Sequence, residues 1–190
     1  MKAAQQGDLF ARETRLPEGL TYAEDFLDER EEAEFVRIAA GLPLAPFAFH
    51  GFTGKRRVAS FGFRYDFASE RLRPADEMPD ALLPLRDCAA DFAGAPRGDI
   101  AHVLVTEYEA GAPIGWHRDR PEFGVVIGVS LLSPCVFRMR RRTASGFERA
   151  SFVAAPRSIY VLRGPARDLW EHSIPPVEAL RYSLTFRTLR

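Results

Sequence analysis

The sequence predicts an α+β, mainly β domain in which helices precede an antiparallel barrel or double sheet. Three observations point there. Helical periodicity is confined to the first half of the chain. From residue 100 onward, short β-prone runs follow one another with no helical pattern between them. The chain is 190 residues long, enough for one sizeable core and short for two. The expected organisation is an unanchored tail over 1–15 and a single domain over 16–190, with helices and an extended segment over 16–99 and the sheet core over 100–190.

In chain order, the first element is a helix over 29–40. Asp28 and Glu31 have capping-box spacing, Phe35, Ile38, Ala39 and Leu42 repeat on one face, and Gly41 with Pro43 stops it. RRVASFGFRYDF (56–67) is partly alternating and aromatic, which predicts an extended segment or a hairpin. A second helix starts at Pro84 and ends near Gly94, burying Leu85, Cys88, Ala89 and Phe92. The runs IAHVLVTEY, FGVVIGVSLL, CVFRMRR, FERASFV, SIYVLRG and RYSLTFRTL, divided by Gly, Pro and Ser, are then read as strands.

Composition narrows the function classes. Basic and acidic side chains balance at 26 each, so no global field draws the protein to a polyanion, and any such binding needs a local patch. No apolar run has membrane-spanning length and MKAAQQGDLF lacks a signal-peptide core, so a cytoplasmic monomer without membrane association is expected. Cys88 and Cys135 lack ligand spacing and are expected as buried free thiols.

The chemistry concentrates in GWHRDRPEFG (115–124). On a strand, i and i+2 point the same way, so His117 and Asp119 can share one site. His172, in WEHSIPP, which reads as a loop between strands, would complete a two-His, one-carboxylate face suited to non-haem Fe(II). His50 and His102 have no such context. In RYSLTFR, Arg181 and Arg187 stand six residues apart on one strand face. Burying both guanidiniums requires an anion, either a dicarboxylate co-substrate or a protein carboxylate, although Arg187, close to the terminus, could also be exposed.

TEYEAGAPIGWHRD, PRSIYVLRGPARDLWEHSI and RYSLTFR, in this order and spacing over roughly residues 100–187, resemble the AlkB family of Fe(II)- and 2-oxoglutarate-dependent dioxygenases. KRRVASFGFRYDF resembles the substrate lid of some members. The resemblance implies a double-stranded β-helix (jelly-roll) core with N-terminal helices and a lid. It implies Fe(II) held by His117, Asp119 and His172, and 2-oxoglutarate gripped by Arg181 and supported by Tyr108, with Arg187 near its iron-side carboxylate or the substrate. His117 would also stack on the target base. Thr106 and Ser183 stand where the nucleic-acid-repair members carry Asn. Pro121, with Glu122 beside it, replaces an acidic residue that touches the damaged base there.

The resemblance implies oxidative demethylation of N-alkylated bases in DNA or RNA, with release of formaldehyde and succinate. Lys55, Arg56 and Arg57 ahead of Phe61, Phe63 and Tyr65, and the run Arg138, Arg140, Arg141, Arg142, would supply phosphate contacts and stacking. A same-fold oxygenase acting on a protein or small molecule, and a non-catalytic jelly-roll binding module, are the alternatives. Gln6, Leu9 and Phe10 also resemble the short peptide that docks bacterial repair proteins on the sliding clamp.

Overall fold

The structure, a computed structural model, describes residues 16–49, 52–66 and 71–190. The clamp-like segment Gln6–Phe10, the tail 1–15, His50 and Phe67 lie outside the described residues. Strand β1 (Leu20–Ala23) is followed by helix α1 (Glu29–Ala40), β2 (Ala45–Phe49), β3 (Phe52–Phe61), β4 (Phe63–Asp66), β5 (Arg71–Pro74) and α2 (Leu83–Ala93). The second half holds β6 (Ile100–Tyr108), β7 (Ile114–His117), β8 (Phe123–Leu131), β9 (Cys135–Thr143), β10 (Gly146–Ala154) and β11 (Ser158–Leu162). It ends with α3 (Gly164–Asp168), β12 (Glu171–Ile174) and β13 (Arg181–Leu189).

A seven-stranded antiparallel sheet in the order β1-β11-β8-β13-β6-β3-β2 faces a four-stranded sheet in the order β10-β9-β12-β7. β4 and β5 form a separate hairpin. This is the predicted mainly β, jelly-roll architecture with N-terminal helices. α1 starts with the predicted capping box: Asp28 accepts from the Glu31 amide at 2.7 Å and the Asp28 amide donates to the Glu31 carboxylate at 2.8 Å. α2 ends at Gly94, which takes the left-handed conformation with φ 60°. No helix among the described residues is long and apolar enough to cross a membrane.

Two apolar clusters hold the molecule together, on opposite faces of the large sheet. One packs Phe35 and Ala39 of α1 and Leu85 and Ala89 of α2 against Val103, Val105, Ile127, Val129, Leu184 and Phe186. The other fills the space between the sheets with Val126, Phe137, Met139, Tyr160, Trp170 and Ile174. β13 is therefore buried on both faces. Its even-numbered residues Tyr182, Leu184 and Phe186 join the helix-side cluster, and its odd-numbered residues Arg181, Ser183, Thr185 and Arg187 line an inter-sheet cavity. Period-two alternation thus divides one strand into a structural face and a chemical one. Gly128 is required beneath this cavity, because a Cβ there would overlap the Tyr160 ring.

Four sequence expectations are corrected. WEHSIPP is not a loop at His172, because residues 171–174 form β12, paired with both β7 and β9. Cys88 is exposed and only Cys135 is buried. Cys88 sits on the α2 flank beside exposed Asp91, turned away from Leu85 and Ala89. Phe61 is not a lid residue: it is 6% exposed within the helix-side core. Nor is 55–67 a single covering segment, since residues 56–61 are β3 bonded to β6 inside the large sheet. What projects as a separate unit is the β4–β5 hairpin, entered at Gly62 with φ 79°, where any side chain would overlap the Ala101 carbonyl.

Candidate active site

The inter-sheet cavity is lined by His117, Asp119, His172, Arg181, Ser183, Thr185 and Arg187, together with Arg56, Leu104, Thr106, Tyr108, Ile114, Val126, Phe137, Tyr160 and Ile174. His117 ends β7 and is the cross-strand partner of His172 on β12. The pairing sets their ring centroids 4.3 Å apart. Asp119 follows two residues beyond the strand end. One ligand atom from each of the three lies within 4.8 Å of the others. The His172 ring is stacked on Phe137 at 5.2 Å, which fixes its plane.

Hydrogen bonds define which nitrogen faces the centre. His117 Nδ1 lies 2.9 Å from the Gly115 carbonyl, which can only accept, so Nδ1 carries a proton and Nε2 is the nitrogen left to meet a metal. His172 is kept neutral, its pKa pushed down to about 3 by burial first and then by His117. Asp119 is opposite in sense. Burial alone would raise its pKa, but the Arg187 guanidinium beside it holds the carboxyl well below the usual carboxylate range. Two imidazoles and a carboxylate form the donor set of a non-haem ferrous site.

Arg187 donates from Nη2 to Asp119 Oδ1 at 2.9 Å, both side chains being nearly fully buried. Despite its place near the chain end, Arg187 is therefore not exposed, and its anion is a protein carboxylate. Arg187 Nη1 faces His102 Nδ1 at 3.2 Å, and His102 Nε2 lies 3.0 Å from Ser60 Oγ, which donates to the Phe63 carbonyl at 2.8 Å. Arginine can only donate, so His102 accepts at Nδ1 and carries its proton on Nε2. A continuous chain of hydrogen bonds thus runs from the start of the β4–β5 hairpin to the metal-facing carboxylate. The sequence supplies His102 with no neighbouring motif, and so does not mark it as a site residue. Its parity with Thr106 and Tyr108 on β6 is the one signal available.

The anion site lies deeper. Arg181 is 1% exposed, donates from Nε to Ser130 Oγ at 3.2 Å and stands over the Tyr108 ring at 4.8 Å. Among the described residues its Nη1 has no hydrogen-bond partner. Leaving a buried N–H unpaired costs on the order of 1–3 kcal/mol, and more for a charged group. Such a group marks where a carboxylate binds. Tyr108 and Thr106 lie opposite Arg181 and Ser183 across β6 and β13. Tyr160, which no sequence motif singles out, forms another wall, its phenol kept neutral by burial.

Of the expected substrate residues, Arg56 faces the cavity, where burial lowers its pKa. Its neighbours on β3 do not. Arg57 points to the opposite face and pairs with Glu107 at 3.0 Å, and Lys55 is exposed. The basic triplet is therefore not one patch, because a strand alternates its side chains. Phe63 and Tyr65 lie on the hairpin, with the Arg120 guanidinium 3.7 Å over the Tyr65 ring. Glu122 is half-buried beyond the metal-ligand turn, and among the described residues its Oε2 is without a hydrogen-bond partner.

A double-stranded β-helix with a His-x-Asp…His face and a buried arginine in its mouth defines the class of Fe(II)- and 2-oxoglutarate-dependent oxygenases. The family model described as the 2OG-Fe(II) oxygenase superfamily matches residues 19–187, and the chain belongs to that superfamily. Within it, AlkB-type proteins are among those the chain resembles. The Alkylated DNA repair protein ALKBH8 homolog of Arabidopsis thaliana is 24% identical over 145 residues, covering 64% of this chain and 42% of that protein. Uncharacterized protein L905 of Acanthamoeba polyphaga mimivirus is 30% identical over 100 residues, 46% of this chain and 47% of that protein. The chain spans less than half the length of these curated relatives.

The solved structure of OsALKBH1 shares the fold with a TM-score of 0.66 and 16% identity, over 91% of this chain and 98% of that one. So does a prolyl hydroxylase from Trichoplax adhaerens in complex with a hypoxia inducible factor peptide, with TM-score 0.63 and 13% identity, over 90% of this chain and 83% of that one. An oxidoreductase of the 2OG-Fe(II) oxygenase family from Burkholderia pseudomallei matches with TM-score 0.62 and 19% identity, over 90% and 85%.

The residues present fit Fe(II) and 2-oxoglutarate. The two imidazoles and Asp119 converge from one side, and Arg181 Nη1, unpaired among the described residues, suits a carboxylate. We assign His117, Asp119 and His172 to the metal. Arg181, Tyr108, Thr106 and Ser183 are assigned to the co-substrate, and Arg187 to holding Asp119.

The hydrogen-bond chain predicts a pH effect. Burial, then Arg187, lowers the His102 pKa from its ordinary 6.5 to about 2. Below pH 6.5 the unfolded chain takes up a proton that the folded protein refuses, so His102 contributes stability fully above pH 6.5 and loses it as the pH falls towards 2. His102→Gln keeps an acceptor for Arg187 but does not titrate. In urea unfolding of the chelator-treated protein at pH 7, 6 and 5, its stability is expected to fall less steeply than wild type, the difference approaching about 1.4 kcal/mol per pH unit below pH 6.5. Parallel slopes would show that His102 is protonated in the fold.

Proposed function

We propose that this dioxygenase demethylates N-alkylated bases in DNA or RNA. The observation that carries the reading is the position of the β4–β5 hairpin. The Arg120 guanidinium, one residue beyond Asp119, lies 3.7 Å over the Tyr65 ring, which sets a cation–aromatic pair beside the turn that carries Asp119. Flat aromatic and guanidinium surfaces stack on bases of any sequence. The AlkB-like character of the chain and the name of its Arabidopsis thaliana relative, an alkylated DNA repair protein homolog, support the same substrate class.

Iron with 2-oxoglutarate and dioxygen supplies the oxidation of a C–H bond, coupled to decarboxylation of the co-substrate to succinate. The protein's residues do the rest. Arg181 and Tyr108 orient the dicarboxylate, Arg187 keeps Asp119 ionised and pointed at the metal, and Phe137, Tyr160 and Ile174 exclude water from the cavity. A hydroxylated N-methyl group is a hemiaminal, which breaks its C–N bond to release formaldehyde and restore the N–H of the base. Arg56 is the cavity's own cation for a phosphate or carboxylate at the entrance.

A protein side chain is the second substrate reading, favoured by Pro121 and by Glu122, whose carboxylate does not line the cavity. A panel of oligonucleotides carrying N-methylated bases, single- and double-stranded, is expected to yield formaldehyde in step with succinate. Co-substrate consumption without formaldehyde from any member of the panel would reject the nucleic-acid reading and favour the protein side chain.

A further inference from the structure

The run Arg138, Arg140, Arg141, Arg142 is split by the fold. Arg141 turns to the opposite face of β9, over Trp170, and pairs with Glu148 at 2.6 Å, whereas Arg138, Arg140 and Arg142 share the outward face. Across the β9–β10 register Arg149 stands opposite Arg140, and Phe147 opposite Arg142. Trp116 of β7 reaches the same face: Arg138 lies 5.3 Å and Arg140 4.4 Å over its ring, and Arg140 also lies 4.7 Å over Phe147. A ladder of alternating rings and guanidiniums thus crosses the small sheet from β7 to β10. Along these strands the face carries four arginines against Glu171, in a chain whose net charge is zero. Val136, Val153 and Phe147 are exposed on it at 43%, 53% and 38%.

We propose that this outward face of the small sheet is a second contact surface for single-stranded nucleic acid, separate from the metal cavity. The proposal rests on the nucleic-acid reading given above. Three features favour this occupant. Arginines at alternate strand positions are about 7 Å apart, a separation that successive phosphates of an extended strand can match. Arg138 and Arg140 are each held through Nε, by Ser173 and Glu171, which leaves their Nη groups to meet phosphate oxygens, and Arg142 and Arg149 are exposed. Exposed rings and valines between those cations offer stacking and apolar contact to bases. The face is also close to the chemistry. Trp116 precedes His117 and Glu171 precedes His172, so alternation turns the ligands inward and this face outward, and β7 is the edge strand of the sheet. A strand leaving the metal site reaches Trp116 by crossing one sheet edge.

The test uses the full chain and a fluorescein-labelled, unmethylated 12-nucleotide single strand, titrated at several salt concentrations. Arg138→Gln/Arg142→Gln/Arg149→Gln is expected to weaken binding roughly tenfold or more and to flatten the salt dependence by about 2 in log–log slope, about 0.7 for each phosphate no longer neutralised. Ser151→Lys, exposed opposite Arg138, is expected to steepen it. Arg30→Gln/Arg37→Gln, on the exposed side of α1, removes charge elsewhere and is expected to leave the slope unchanged. The chain has two tryptophans and Trp170 is 3% exposed, so quenching of intrinsic fluorescence by the oligonucleotide reports Trp116.

An unchanged slope in the triple variant, or equal competition by polyglutamate, overturns the surface. If formaldehyde is still released from methylated oligonucleotides in that case, the proposed activity stands without it. Face-dependent binding with no formaldehyde from any methylated strand would do the opposite, keeping the surface and rejecting the activity.

Discussion

Asp119→Ala is expected to abolish co-substrate turnover and to destabilise the protein at the same time. The carboxylate serves two partners: one face of it completes the donor set with His117 and His172, while Oδ1 neutralises Arg187. Deleting it removes a metal ligand and strands a buried guanidinium whose Nε already has no partner among the described residues. Breaking a buried ion pair from one side costs about 3–5 kcal/mol. Arg187→Met separates the two effects, since it leaves all three ligands in place and removes only the group that orients Asp119. Removing such a supporting group weakens metal affinity or activity by about 10–100-fold rather than ending it. Fe(II) titration and urea unfolding on both variants check this. Full turnover in Asp119→Ala would remove Asp119 from the metal, and an unchanged unfolding midpoint would remove its role towards Arg187.

Arg181→Lys is expected to raise the 2-oxoglutarate concentration for half-maximal turnover by roughly ten- to a hundredfold, with a smaller effect on the limiting rate. The guanidinium is fixed by Ser130 on one side and by the Tyr108 ring below, so its Nη1 is held at one place and orientation. A lysine ammonium is a point charge. It cannot keep the Ser130 bond and also offer a planar, paired edge to a carboxylate, a loss of about 1.5–3 kcal/mol for a charge-assisted hydrogen bond. Half-saturation at the wild-type concentration would mean that the co-substrate carboxylate is held elsewhere, with Arg56 a further cation lining the cavity.

The two variants probe groups that differ in how far the sequence discloses them. His117 and Asp119 are legible because their spacing is local. Arg181 and Arg187 are legible as one strand face, because alternation is a property of any strand and RYSLTFR has no competing pattern. α1 is legible in full, since its caps and its apolar repeat are written within a few turns of chain. His172 is identifiable as a ligand, but the sequence misplaces it onto a loop. β12 has four residues, and only its pairing with β7 and β9 makes it a strand.

Phe61 and the basic triplet show the opposite failure. An aromatic, basic, alternating run looks the same whether it covers a pocket or crosses a sheet, and the decision comes from β6, whose register with β3 turns Arg56 to the cavity and Arg57 to Glu107. The sequence by itself determined the order of elements, the ligand types and the parity of the strands, because these depend on neighbours a few residues apart. Tertiary structure alone decided that Arg187 belongs to Asp119, that His102 supports it from β6, and that Arg141 turns to the other face of β9 from the rest of the basic run. Each of these is settled by which strands lie side by side, and those contacts join residues up to 85 positions apart in the chain, too distant for any local pattern to record.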